Sequence, residues 1–281
     1  MSVCLSPIFV PNVHYEEQLT AFLRGELDEK PEKKFCVPCG KCLRCLQRKR
    51  RDWYIRLEDT LKHSSSCLFV TLTYDDENLS FGSCGWPSLR KRDYQLFMKR
   101  LRKSLPGVSL SYFICGEYGP ATMRPHYHLL LFNLPLDDYY SVIKRAWSLG
   151  HFTIDFASPA RLMYVTKYLL PASDGGFNFS QYDLEKPFMR CSKHIGEPLA
   201  NANSVISALG NGYVVDDCGS RYALPRYVLD KLQDSDKERI KAKTKAFVDS
   251  HGKGSLPWSE VMRCRDVDKW KLKKIVKHSK L

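Results

Sequence analysis

The stretch Pro125-His126-Tyr127-His128-Leu129-Leu130-Leu131-Phe132 constrains this chain more than any other. Its second half is apolar enough for a protein interior, and its length suits a buried strand. Side chains on a strand alternate faces, so His126 and His128 project together while Tyr127 projects the opposite way. Two imidazoles leaving one face of such a strand form half of a metal site. The plainer alternative is a pair of hydrogen-bonded histidines on a half-buried strand.

Around that strand the periodicity changes in a definite order. Residues 46–63 carry Trp53, Leu57 and Leu61 at helical spacing, and Cys67 to Tyr74 reads as a strand ended by Asp75-Asp76-Glu77-Asn78. Residues 89–105 form an amphipathic basic helix with Leu89, Tyr94, Phe97, Leu101 and Leu105 inward, stopped by Pro106-Gly107. Strands follow at 109–118 and 125–132, joined through Gly119 to Arg124. Then come a helix over 137–148, a strand over 150–156 and a helix over 159–170 closed by Pro171. The order α-β-α-β-β-α-β-α, with a central hairpin, predicts an α+β fold in which helices pack on a largely antiparallel central sheet. Three regions are expected: an N-terminal segment over 1–50, a core over 51–171 and a C-terminal extension over 172–281. The extension holds a short hairpin (Gly212–Asp216 with Gly219–Leu224) and a basic helical tail.

The formal charge of +13 is concentrated in two places. Residues 30–56 carry ten Lys and Arg against two acids, and residues 231–281 carry fifteen against seven. Clustered cations mark a binder of polyanions. Arg48, Lys49, Arg50 and Arg51, followed by Trp53 and Tyr54, suggest nucleic acid, because cations track phosphates and aromatic rings stack on bases. A Lys-rich solvated surface is the alternative for the tail. No apolar run approaches the roughly 20 residues that span a bilayer. Met1 to Pro11 lacks a basic leader, so the cytoplasm is the expected compartment.

Eleven cysteines in such a chain argue for thiols and metal rather than disulfides. Four fall in Cys36-Val-Pro-Cys39-Gly-Lys-Cys42-Leu-Arg-Cys45, two C-x-x-C pairs in a segment with turn residues Pro38 and Gly40. Structural Zn²⁺ is the preferred occupant of Cys36, Cys39, Cys42 and Cys45, with an iron–sulfur cluster as the alternative.

In a hairpin turning through residues 119–124, Glu117 comes nearly opposite His126. A carboxylate and two imidazoles then converge, a mixed N/O set that suits Mg²⁺ or Mn²⁺ engaged with a phosphate substrate. Otherwise Glu117 is a loop residue pairing with Arg124. Tyr164 and Tyr168 stand four apart, so on a helix their hydroxyls share a face, with Lys167 beside them. Packing alone explains that spacing. A phenol is nevertheless a competent nucleophile when a metal polarises the electrophile and a cation stabilises the developing charge.

Taken in order, FVTLTY (69–74), GEYGPATMRPHYHLLLF (116–132) and YVTKY (164–168) resemble the three motifs of HUH endonucleases of the replication-initiator type. The nearest likeness is to the rolling-circle initiators of microviruses, and within them the gokushovirus branch. CGKCLRC before a basic helix and GSRYALPRYV (219–228) are similar to that branch as well. The resemblance implies a ferredoxin-like HUH nuclease core, a divalent metal on His126, His128 and Glu117, paired nucleophiles Tyr164 and Tyr168, and an assisting Lys167. It further implies attack on single-stranded origin DNA, giving a 5′-phosphotyrosine and a 3′-hydroxyl for a host polymerase. Arg124, with the basic run, is expected to face the DNA. The pattern departs from the family after Tyr168, where Leu169-Leu170-Pro171 replace a second lysine. No G-x-x-x-x-G-K-[ST] loop is present, so a host helicase is implied. Two other readings stand beside this one. One is a non-enzymatic zinc-bearing protein whose Tyr112, Phe113, Tyr127 and Phe132 stack bases. The other is a transposase or plasmid initiator of the same fold.

Overall fold

The computed structural model describes residues 4–119, 121–167, 178–201, 203–215, 219, 221–251 and 262–271. In chain order the elements are β1 (Ile8–Pro11), α1 (Tyr15–Leu23), β2 (Lys34–Val37), α2 (Leu43–Lys62), β3 (Cys67–Thr73), β4 (Ser80–Phe81), β5 (Pro87–Ser88) and α3 (Lys91–Ser104). There follow β6 (Ser111–Tyr118), β7 (Pro125–Phe132), α4 (Tyr139–Ala146), β8 (Phe152–Phe156), α5 (Pro159–Lys167) and β9 (Phe188–Cys191). The last group is α6 (Asn203–Asn211), β10 (Val214–Val215), β11 (Arg221–Tyr222), α7 (Arg226–Leu229) and α8 (Asp234–His251), with a further helix over 262–271.

Five strands make the central sheet in the order β8-β3-β7-β6-β9, and every neighbouring pair is antiparallel. Omitting β9, the sequence β3-α3-β6-β7-α4-β8 is a βαββαβ unit whose first and last strands pair beside the second half of the hairpin. That is the ferredoxin-like arrangement, and the class expected from the sequence is the class observed. The fifth strand comes from residues 188–191, beyond the point at which helical and strand periodicity fade in the sequence. With four residues and one neighbour strand, β9 carries too short a pattern to be read without its partner.

Alternation within the strands separates two cores. Leu68, Val70 and Leu72 of β3, Ile114 of β6, and Tyr127, Leu129 and Leu131 of β7 face α3 and α4, meeting Phe97, Leu101, Ile143 and Trp147. The opposite face carries Cys67, Phe69, Phe113, Cys115, Leu130 and Phe132, and is covered by Leu57 of α2 with Leu162 and Val165 of α5. A third cluster joins Ile55 of α2 to Leu199, Val205, Tyr222, Leu224 and Ile240 of the C-terminal part. Helix α2 is therefore shared: one stripe lies on the sheet and another holds the C-terminal elements.

Two glycines answer to close approach. Gly116 in β6 lies under the Phe188 ring of β9, where a Cβ would come within 2.8 Å of the ring. Gly150, at φ +151°, passes so near the backbone of Thr73 and Asp75 that no side chain fits. Among the described residues no helix is long and apolar enough to cross a membrane.

Candidate metal centre and nucleophile

The face of the sheet beneath α2 and α5 is apolar over most of its length and turns polar at one end. Along β7 the inward positions run Phe132, Leu130, His128, His126; along β6 they run Phe113, Cys115, Glu117; along β3 they run Cys67, Phe69, Thr71, Thr73. Antiparallel register aligns the polar ends, with His126 set between Glu117 on one side and Thr73 on the other. His128 is likewise set between Thr71 and Cys115. The expected convergence of Glu117 with both histidines is present, and Glu117 does not pair with Arg124.

Glu117 Oε1 lies 2.8 Å from His126 Nε2 and 3.0 Å from His128 Nε2. His126 Nδ1 is 3.2 Å from the carbonyl oxygen of Arg124, which can only accept, so that nitrogen carries the proton and Nε2 presents a lone pair. A lone pair aimed at a carboxylate oxygen repels it unless a proton or a cation stands between them. The three donor atoms lie within 4.8 Å of one another. Two imidazole nitrogens and one carboxylate oxygen suit a divalent cation with open positions.

The electrostatics run the same way. Burial by itself would raise the Glu117 carboxyl, but its contacts with His126 and His128 outweigh burial and hold it at about 2. Burial lowers His128, and the nearby charges of His126 and Lys167 add to that while Glu117 opposes it. His128 is only 6% exposed and is neutral at neutral pH, the form that ligates a metal. Its Nδ1 is 3.0 Å from the Thr71 hydroxyl, which orients the ring. Thr71 is a residue that the sequence leaves indistinguishable from strand filler; its role is visible once Thr71 is seen opposite His128.

Tyr164 is the exposed aromatic of α5, at 38% exposure. Its ring meets the His128 ring edge-on at 5.2 Å and the Phe69 ring at 6.1 Å. The Lys167 ammonium sits 3.9 Å from the centre of the Tyr164 ring. Glu117, His126, His128, Tyr164 and Lys167 are thus brought to one place, while Tyr168 lies outside the described residues.

Strand β7 is held in register from its other face. The Tyr127 hydroxyl donates to the carbonyl of Arg90 at 2.8 Å and accepts from the Arg90 N–H at 3.0 Å, and it lies 2.6 Å from the Tyr74 hydroxyl. Tyr74 in turn donates to Asp93 at 2.7 Å. This buried network ties the strand between the histidines to the start of α3.

The basic candidates divide. Arg124 donates to Asp76 at 2.6 Å and to the Tyr74 carbonyl at 2.7 Å, fastening the hairpin turn to the end of β3. Arg50 donates to the Met163 carbonyl at 3.0 Å and reaches Thr166 at 3.4 Å, so it clamps α5 onto α2. Arg48, Lys49 and Arg51 stand exposed along α2. Trp53 is not available to a base, since Arg56 lies 3.9 Å over its ring and Phe113 packs 5.3 Å away. Phe113, Tyr127 and Phe132 are fully buried, which removes three of the four aromatics that a base-stacking sheet would need.

The cysteine cluster requires a correction. Its four thiols are Cys4, Cys39, Cys42 and Cys45, with sulfurs within 4.8 Å of one another, and Cys36 is outside it. Cys36 lies on β2, and its side chain is exposed. Pairing of β1 with β2 carries the N-terminal segment back along the thiol loop and brings Cys4 to the place that spacing assigned to Cys36. Cys4 Sγ is 3.6 Å from Cys39 Sγ and 3.8 Å from Cys42 Sγ. Zinc–sulfur bonds of about 2.3 Å arranged tetrahedrally place sulfurs about 3.8 Å apart, so the spacing fits one ion. An iron–sulfur cluster lies between its thiolates and would hold them further apart. Backbone N–H groups of Cys39 and Cys42 donate to Cys4 Sγ and Cys39 Sγ at 3.4 and 3.3 Å. Burial raises Cys39, but backbone N–H donors and the neighbouring thiols bring it down to about 6. Cys45 is pushed up to about 12 by burial, and the adjoining thiols raise it further, as expected of sulfurs crowded together without a cation between them.

A ferredoxin-like sheet whose polar end gathers an acid and two imidazoles beside a helix-borne phenol is consistent with the HUH class of replication proteins. The family model for replication-associated protein ORF2 matches residues 67–172, a segment that starts with β3 and contains all of α5. The chain is 32% identical over 218 residues to replication-associated protein VP4 of Bdellovibrio phage phiMH2K, covering 70% of this chain and 67% of that one. It is 28% identical over 262 residues to replication-associated protein ORF2 of Spiroplasma virus 4, covering 80% and 78%. Replication-associated protein ORF4 of Chlamydia phage 1 is 25% identical over 223 residues, covering 71% of this chain and 54% of its own. No solved structure matches at a comparable level of significance. The chain belongs to the family of phage replication-associated proteins, that of the microvirus rolling-circle initiators.

Proposed function

We propose that this protein nicks single-stranded origin DNA by tyrosine attack and rejoins the ends after a round of rolling-circle replication. The observation that carries the proposal is the meeting of Glu117 Oε1 with both imidazole Nε2 atoms directly beside the Tyr164 ring. Glu117, His126 and His128 would hold Mg²⁺ or Mn²⁺, which when bound polarises the scissile phosphate as a Lewis acid. Tyr164 bonds through its phenol oxygen to phosphorus as the bond from phosphorus to the 3′ oxygen breaks. The phenol gives up its proton and the leaving oxygen gains one, so the products are a 5′-phosphotyrosine and a free 3′-hydroxyl. Lys167, already against the Tyr164 ring, faces the negative charge that develops on phenol and phosphate. Thr71 keeps His128 turned toward Glu117. Tyr168, one helical turn on, is assigned the second cut and the rejoining.

Cys4, Cys39, Cys42 and Cys45 would bind Zn²⁺ as a structural site that pins the N-terminal segment to the start of α2. A host polymerase extends the 3′-hydroxyl and a host helicase opens the duplex, in the cytoplasm of a bacterium. The test is covalent trapping. A labelled origin-strand oligonucleotide with Mn²⁺ or Mg²⁺ should yield a protein–DNA adduct that chelation abolishes and that Tyr164→Phe, Tyr168→Phe lacks. His126→Ala and His128→Ala should lose the adduct while keeping most salt-sensitive binding. Absence of any adduct from the wild-type protein on its own origin, metal present, would overturn the proposal.

A further inference from the structure

The largest cavity is not at the metal centre. It encloses about 1060 Å³ between α2, the loop before it, α5 and the C-terminal elements. That is the upper end of the roughly 300–1,000 Å³ range of ligand pockets, so it is large for one small metabolite. Its walls combine two chemistries. Tyr54 and Ile55 of α2, Val37, Met163 and Leu224 supply an apolar, partly aromatic lining, while Arg48 and Arg51 bring guanidinium groups to it. Asp52 also lines it. Burial pushes Asp52 up to about 6 against the opposing charges of Arg48, Arg56 and Arg51.

An apolar wall, a phenol ring and exposed guanidinium groups match the parts of a nucleotide: a base to stack and phosphates to neutralise. A half-buried carboxyl beside them accepts from a base's exocyclic amine, as acidic side chains do from cytosine. The cavity also adjoins the proposed nuclease centre through one residue. Met163 forms part of its wall, and the next residue, Tyr164, presents its ring to His128. A strand bound at the phenol can therefore continue past α5.

We infer that this cavity is a second DNA subsite, taking single-stranded nucleotides that flank the nick, with Arg48 and Arg51 on phosphates and Tyr54 beneath a base. The inference rests on the proposed nicking function and deepens it by adding a segment of strand recognised away from the scissile phosphate. Its occupant is the strand rather than a free nucleotide, because the volume exceeds one small ligand and the wall is continuous with α5.

The test compares two oligonucleotides by fluorescence anisotropy, one confined to the immediate nick site and one extended on both sides. Wild-type protein should bind the longer one at least tenfold more tightly, and Arg48→Ala, Arg51→Ala should reduce that ratio to near one. For two lost single-strand phosphate contacts, the salt-dependence slope on the long oligonucleotide should fall by about 1.4. Tyr54→Leu, which keeps the wall apolar, should remove part of the ratio, and 5-iodouracil at flanking positions should cross-link to Tyr54. A ratio unchanged in the double variant, or an equal loss on both lengths, overturns the inference. So does saturable binding of deoxycytidine monophosphate that the long oligonucleotide does not displace. Adduct formation is scored separately: if wild-type protein forms none yet shows the length-dependent ratio, nicking fails and the subsite stands.

Discussion

Replacing Cys4 and replacing Cys36 should have opposite consequences, although the C-x-x-C spacing favours Cys36. In the structure Cys4 Sγ lies 3.6 and 3.8 Å from Cys39 and Cys42, while Cys36 is exposed on β2. Structural zinc in small domains is bound with about 10–16 kcal/mol at neutral pH. Shared evenly over four thiolates, that is about 2.5–4 kcal/mol each, or roughly a hundredfold to a thousandfold in affinity for a lost ligand. Cys4→Ser should therefore release zinc to a chromophoric chelator at concentrations about a hundredfold lower than wild type requires, and should lower the melting temperature. Cys36→Ser should stay within about twofold of wild type in both measurements. If Cys36→Ser lost zinc while Cys4→Ser kept it, the cluster geometry would be wrong and the spacing reading restored.

Four further outcomes are expected. Thr71→Val removes the partner of His128 Nδ1 without changing shape, and should weaken Mn²⁺ affinity about 10–100-fold by calorimetry; an unchanged isotherm would deny Thr71 an orienting role. In the chelated protein, Glu117 at about 2 against its ordinary 4.5 means that the native carboxyl is the stronger acid. The stability it lends, roughly 3 kcal/mol, is present in full above pH ~4.5 and is lost as pH falls towards ~2. Urea midpoints measured between about pH 7 and 3 should fall less steeply in Glu117→Gln than in wild type, and parallel curves would contradict this. Gly150→Ala forces a Cβ against the Thr73 and Asp75 backbone at φ +151°, and calorimetry should find it less stable by about 2 kcal/mol, or roughly 4–8 °C. Arg50→Ala should loosen α5 and raise hydrogen exchange at 159–167, and uniform exchange across all helices would speak against a local clamp.

The sheet and its chemistry are legible in the sequence to different depths. Helices 46–63 and 89–105 are close to the observed Leu43–Lys62 and Lys91–Ser104, because each has a long apolar stripe against a basic background. The convergence of Glu117 with His126 and His128 follows from alternation and a short hairpin, both local rules. The role of Thr71 escapes a reading of the sequence because its pairing with His128 joins residues 57 apart. Arg50, Arg124 and Trp53 look like DNA contacts in the sequence, yet each has its partner in another element: Met163, Asp76 and Phe113.

Periodicity and residue chemistry by themselves settled the α+β class, the two histidines on one face, and Glu117 beside them, since strand alternation and hairpin register act over a few residues. Tertiary structure alone decided that Cys4 rather than Cys36 completes the thiol cluster, that β9 closes the sheet, and that a cavity opens behind α5. Those features join segments tens of residues apart, and only packing of the β1–β2 ribbon, the sheet edge and the shared helix α2 sets their distances.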